Sequence, residues 1–189
     1  MKIISFLPFC FLALGFFCVQ PAFGHKPVVV KTNSSKEKPV IIKKPEISYA
    51  YYGRLAGWDH YYRIDSSKPF LLYVNILVPD YSPRTEPIER HDISIEVWKD
   101  NILLFTAEGM KSNWKRFYEK YGHDNYYLGP EFEQKVEAGT YIIRVYNSNN
   151  TGKYSLAVGK KEKFTIFSLV GALIKAKSLD RWFFKNDKE

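Results

Sequence analysis

The stretch AGTYIIRVYNSNNTGKYSLAVG, Ala138 to Gly159, decides how the rest of the chain is read. Tyr141, Ile143 and Val145 alternate with Ile142, Arg144 and Tyr146. A two-residue period of this kind marks a strand with one buried face. Tyr154, Leu156 and Val158 alternate in the same way with Ser155 and Ala157, and the polar run Asn147–Gly152 between the two is a turn.

Working outward, Phe70–Val78 is almost continuously apolar and bounded by Pro69 and Pro79. Ile93, Ile95 and Val97 alternate with Ser94, Glu96 and Trp98. Lys99-Asp100-Asn101 then turns the chain into Ile102–Ala107, a hairpin pattern. Shorter strands are expected at Tyr49–Leu55, His60–Ile64, Tyr126–Leu128 and Phe132–Val136. Eight or nine short strands with turn signals and little helix predict an all-β, antiparallel β-sandwich. Pro79–Asp92, with three prolines among charges, reads as a surface loop. Gly109–Asp124 mixes Trp114, Phe117, Tyr118 and Tyr121 with four cations and reads as an aromatic loop or one short helix.

The two ends differ from this body. Lys2, an apolar run to Val19 and the small-x-small site Ala22-Phe23-Gly24 describe a signal peptide over residues 1–24. Cleavage is expected before His25, giving an exported chain, periplasmic or secreted and peripheral to a membrane if its tail binds lipid. The competing reading is a retained anchor, since the run reaches the lower limit for a spanning helix. Both cysteines, Cys10 and Cys18, lie in this segment, so the remainder holds no thiol for a disulfide, nucleophile or metal.

The net charge is +8 in 189 residues. Residues 25–46 hold six lysines against two glutamates and read, with Pro27, Pro39 and Pro45, as a basic Pro/Lys linker; the competing reading is that its short β-branched runs Val28–Val30 and Val40–Ile42 pair with a sheet edge. Residues 164–189 hold five cations against three anions. With Lys2 removed as well, the body from 47 to 163 keeps one net positive charge. A nucleic-acid partner needs a basic face on the folded body, so none is expected. Basic ends fit anionic lipid or acidic envelope polymer better.

Of chemistry there is little sign. His60, His91 and His123 each adjoin an aspartate, but sequence neighbours on a strand point to opposite faces and make no dyad. Nucleophile-elbow, HExxH and phosphate-loop patterns are missing, so no catalytic residue, metal ligand or cofactor is assigned. Aromatics reach 17%. Trp58, Tyr62, Trp114, Tyr118 and Tyr127 are candidates for an aromatic contact surface, against the alternative that such rings cover the ends and edges of a sandwich.

Ala138–Val145, "AGTYIIRV", and Gly152–Gly159, "GKYSLAVG", resemble the closing motif of bacterial pre-peptidase C-terminal (PPC-like) domains. Asp59-His60-Tyr61-Tyr62-Arg63-Ile64 resembles the opening of that family, and Ile93–Asp100 its middle strand. The resemblance runs from about Tyr51 to Gly159 and implies a jelly-roll-like sandwich of secreted proteins with roles in binding or secretion. Gly109–Asp124 is longer than the family form, and the family's ligands carry over to no named residue.

Beyond the sandwich, expected over 47–163, Ile166, Leu169, Val170, Leu173 and Ile174 follow a helical stripe. Lys175, Lys177 and Arg181 follow, then Trp182-Phe183-Phe184. A short C-terminal helix is expected, about 20 Å long and too short to span a bilayer of about 30 Å. It packs on the sandwich or lies on a membrane surface. Leu169, Val170, Leu173, Lys175, Lys177, Arg181 and Trp182 are the candidate membrane or partner contacts. The functional expectation is an exported, non-enzymatic binding or envelope-associated module, its partner an envelope polymer, an anionic membrane surface or another exported protein. The alternative is a metal-dependent hydrolase or oxidase using His60, His91 or His123.

Overall fold

A computed structural model describes residues 25–30, 34–82, 91–120, 123–162, 179 and 182–184. In chain order the strands are β1 (Lys26–Val29), β2 (Val40–Ile41), β3 (Tyr49–Ala56), β4 (His60–Ser66), β5 (Phe70–Pro79), β6 (Ser94–Lys99), β7 (Ile102–Ala107), β8 (Lys115–Glu119), β9 (Asp124–Val136), β10 (Gly139–Tyr146) and β11 (Thr151–Val158). They form a six-stranded sheet in the order β1-β3-β11-β5-β9-β8 and a five-stranded sheet in the order β2-β4-β10-β6-β7.

The alternation in the sequence builds the core. Tyr141, Ile143 and Val145 of β10 are fully buried, as are Tyr62 and Ile64 of β4 and Ile95 and Val97 of β6. These inward side chains meet Leu72, Val74 and Ile76 of β5 and Tyr154, Leu156 and Val158 of β11 in one apolar cluster. Two sheets thus share one core, an all-β sandwich. The β6–β7 hairpin turns at Asp100 (φ 47°) and Asn101 (φ 68°). Both central residues are left-handed, the twist-matched two-residue turn that Asp and Asn tolerate.

Two expected strands are one. β9 runs unbroken from Asp124 to Val136 through Gly129-Pro130. Its register against β5 slips between Asn75 and Leu77, opposite that dipeptide. A proline donates no ladder hydrogen bond, and a bulge is where it fits. The Asn75 side chain donates to the carbonyls of Gly129 (3.1 Å) and Pro130 (3.2 Å), which satisfies groups the slip would leave unpaired.

The 25–46 segment is not a free linker. β1 pairs in parallel with β3, and β2 in parallel with β4. The sandwich is therefore not purely antiparallel. Ile42 is 1% exposed within the core cluster, and Val28, Val30 and Val40 pack against that cluster. Two short β-branched runs dock on open sheet edges in spite of the prolines and lysines around them.

Gly109–Asp124 is neither a loop throughout nor an α-helix. A 3-10 turn at Gly109–Lys111 leads into β8, which pairs antiparallel with the first half of β9. Trp114 anchors the entry. Its indole N–H donates to the carbonyls of Gly109 (2.8 Å) and His91 (3.1 Å), and its ring occupies the space a Cβ would need at Gly129.

The expected C-terminal stripe and all the cations of that segment lie outside the described residues. Leu179 and Phe183 are described, and both are buried. The Phe183 N–H donates to the Leu179 carbonyl at 2.8 Å, a helical turn. Both side chains pack on Leu77, Tyr126 and Ala157, the outer side of the six-stranded sheet. Tyr81 Oη donates to the Phe183 carbonyl at 2.7 Å and ties the turn down.

Candidate functional site

The outward face of the five-stranded sheet carries a polar and aromatic cluster centred on Arg144. Inward and outward positions alternate, so Ile142, Arg144 and Tyr146 of β10 face away from the core. In register, Arg144 lies between Tyr61 of β4 and Glu96 of β6. Its Nε donates to Asp59 Oδ2 at 2.7 Å and its Nη1 to Glu96 Oε2 at 3.1 Å. The guanidinium carbon stands 4.1 Å from the centre of the Tyr146 ring, a cation–π contact. Trp98 donates its indole N–H to Glu96 Oε2 at 3.0 Å. Asp59 also accepts from the Asn150 amide at 2.7 Å and from the Tyr61 hydroxyl at 3.3 Å.

Burial alone would lower the Arg144 pKa, but the hydrogen bonds and charges of Asp59 and Glu96 hold it above its ordinary value. Burial raises the Tyr61 hydroxyl, and it raises that of Tyr146, where the Glu96 charge adds to it. All three are therefore fixed in their neutral-pH forms. One guanidinium against two carboxylates leaves the cluster net negative. Its cation and most of its carboxylate lone pairs are committed internally, so what it offers a ligand is chiefly aromatic faces edged by net negative charge. Such a surface suits hydroxyl, amide or ammonium donors and disfavours phosphate.

Trp58 adjoins this cluster in sequence. It occupies the β3–β4 turn, is 44% exposed and directly precedes Asp59. Gly57, at φ 98°, donates its N–H to the Asn150 carbonyl at 2.8 Å, which pins the turn to the β10–β11 connection.

The other expected aromatic contacts fall elsewhere. Tyr62, Trp114 and Tyr127 are buried at 0%, 3% and 1% exposure and form no contact surface. Tyr62 points inward because its neighbours Tyr61 and Arg63 take the outward positions of β4. The Tyr127 hydroxyl is held by Ser82 (2.8 Å) and Arg116 (3.2 Å). Tyr118 is exposed, but on β8, at the outer edge of the other sheet. Trp98, Arg144 and Tyr146 are not candidates from the sequence. Their signal was the outward half of each alternation, and it becomes legible only once the strands are placed in register.

The three histidines occupy three separate surroundings. His60 is 2% exposed, with Nδ1 2.7 Å from the Tyr154 hydroxyl, itself 2.7 Å from that of Tyr62. Burial lowers the His60 pKa. His91 packs between Trp114 and Tyr127, at centroid distances of 5.1 and 4.7 Å. His123 contacts the Tyr118 hydroxyl at 2.7 Å. Among the described residues no three His, Cys, Asp or Glu side chains are grouped to hold a metal. Of the expected tail contacts, Leu169, Val170, Leu173, Lys175, Lys177 and Arg181 lie outside the described residues. Trp182 is half-buried and packs edge-on against Phe183, their centroids 5.5 Å apart. Phe183 itself faces the sheet, 4.8 Å from the Tyr52 ring, and not a partner.

No protein-family model matches the chain. The comparison with curated proteins gives no match either. Among solved structures it is similar to the pre-peptidase C-terminal domain of a collagenase from Bacillus anthracis, with 11% identity and a TM-score of 0.38 over 67% of this chain and 98% of that one.

Proposed function

We propose that the chain is an exported, non-enzymatic binding module whose contact surface is the outward face of the five-stranded sheet, with Trp58 adjoining it in sequence. The observation that carries this reading is the arrangement around Arg144, in which Asp59, Glu96 and Tyr146 lock the guanidinium while Tyr61 and Trp98 bond the same two carboxylates. A preorganised tile of this kind loses little side-chain freedom on binding. Its net negative, aromatic character points to a hydroxyl- and amide-bearing envelope polymer in preference to an anionic membrane.

Export is supported by the sequence of residues 1–24. The jelly-roll reading is supported by strand order. With β1, β2 and β8 set aside, the sheets read β3-β11-β5-β9 and β4-β10-β6-β7, so first and last strands are neighbours in each. The PPC-like reading rests on the 138–159 motif, in which Gly139 (φ 152°) and Gly152 (φ 109°) open β10 and the β11 turn.

Co-sedimentation of the purified chain with isolated peptidoglycan tests the proposal. Trp58→Ala and Tyr61→Ala should each release protein into the supernatant without lowering the melting temperature. Equal pelleting of wild type and both variants would remove the face from consideration, and pelleting only with anionic vesicles would favour the membrane reading.

A further inference from the structure

The two sheets have four outer strands among the described residues, and three of them carry features that block pairing with another chain. β1 contains Lys26 and Pro27, β8 contains Lys115, Arg116 and Glu119, and β2 is two residues long and closely followed by Lys43 and Lys44. Charges, prolines and short length are the usual means by which an open edge is kept from pairing. β7, with the sequence ILLFTA, has no charge and no proline. Ile102, Leu103 and Leu104 are 67%, 43% and 39% exposed on it. Antiparallel geometry turns alternate backbone N–H and C=O groups of an outer strand away from its neighbour, here β6, and no described strand lies beyond β7.

We infer that β7 is a self-association edge, at which a second copy of this chain pairs through its own β7 and joins the two five-stranded sheets across a two-fold axis. Two observations select a second copy as the occupant. An uncharged strand set antiparallel to itself places no like charges opposite each other. β7 carries one bulge, where Leu104 is the extra residue against β6, and it twists only that part of the edge. The second observation is charge placement. β3 and β4 stack at one end of the sandwich, where the Tyr51 and Tyr62 rings meet at 5.5 Å, and β7 and β9 at the other, where Phe105 and Phe132 meet at 4.9 Å. The lysine-rich 25–46 segment borders β3 and β4, so pairing through β7 keeps the two basic segments far apart. Insertion of this edge into lipid is disfavoured, because unpaired strand groups find no hydrogen-bond partner in hydrocarbon.

Sedimentation equilibrium of the purified chain over a wide concentration range tests the pairing. The expected mass rises with concentration from that of one chain toward twice that value. Leu103→Lys and Leu104→Lys, both at exposed positions, should each hold the protein at the monomer mass with an unchanged melting temperature. A monomer at every concentration would overturn the inference, as would a dimer that survives both substitutions. Vesicle binding by a monomer, abolished by the same substitutions, would overturn it in favour of a lipid occupant. Amide exchange of the unsubstituted chain is an independent readout. Protection of residues 102–107 should increase with protein concentration, and protection that ignores concentration contradicts the pairing.

Discussion

His60 shows how one buried side chain sets a pH limit on the fold. Its Nδ1 contacts the Tyr154 hydroxyl inside the sandwich, and burial holds its pKa below the ordinary value of 6.5. His25, with Nδ1 2.7 Å from the Ser48 hydroxyl, is lowered by burial too. A depressed pKa means that the unfolded chain takes up a proton before the folded one does. The stability from keeping these rings neutral is therefore complete above about pH 6.5 and is lost as pH falls toward the folded-state value. Thermal melts should show a falling melting temperature as pH drops below about 6.5, and His60→Gln should flatten part of that slope. A slope unchanged by His60→Gln would place the proton uptake elsewhere. The same neighbourhood shows why glycine stands at Gly53. A Cβ there would fall 2.7 Å from the Tyr154 ring, so the tyrosine could not keep its place between His60 and Tyr62.

At the scale of elements, the described tail residues Leu179 and 182–184 and the strands β1 and β2 pack as parts of the sandwich. Phe183 is fully buried against Tyr52 and held by Tyr81. Phe183→Ala should lower stability by about 3–5 kcal/mol, the cost of truncating a buried phenylalanine, and the melting temperature by roughly 10 °C. A change below about 1 kcal/mol would mean that this turn is detached in solution. β10, β11, β5 and the β6–β7 hairpin were legible in the sequence because their alternation, or their unbroken apolar run, is long enough to dominate local signals. β8 was not, and β1 and β2 were legible only as a competing reading. Val28–Val30 and Val40–Ile42 are short β-branched runs among lysines and prolines, and only an open edge supplied by β3 and β4 makes them strands. In β8, Lys115-Arg116-Phe117-Tyr118-Glu119 has no apolar alternation, since both faces of that outer strand are largely wet. The proposed contact face was half legible. Trp58 stood out as an aromatic, whereas Arg144 and Trp98 become neighbours only through the pairing of β10 with β6.

On the scale of the whole molecule, charge and chemistry are separated. The basic 25–46 segment lies along β3 and β4, the uncharged β7 closes the far end, and the acidic, aromatic face around Arg144 spans the sheet between them. Each region suits a different contact, and the binding proposal belongs to the last. Amide hydrogen exchange with soluble peptidoglycan fragments as the probe tests it most directly. The account predicts slowed exchange across Gly57–Arg63, Glu96–Trp98 and Ile142–Tyr146 on addition of fragments, and loss of that footprint in Trp58→Ala. Slowed exchange confined to the six-stranded sheet, or to Leu179–Phe184, with the Arg144 face unchanged, would contradict it.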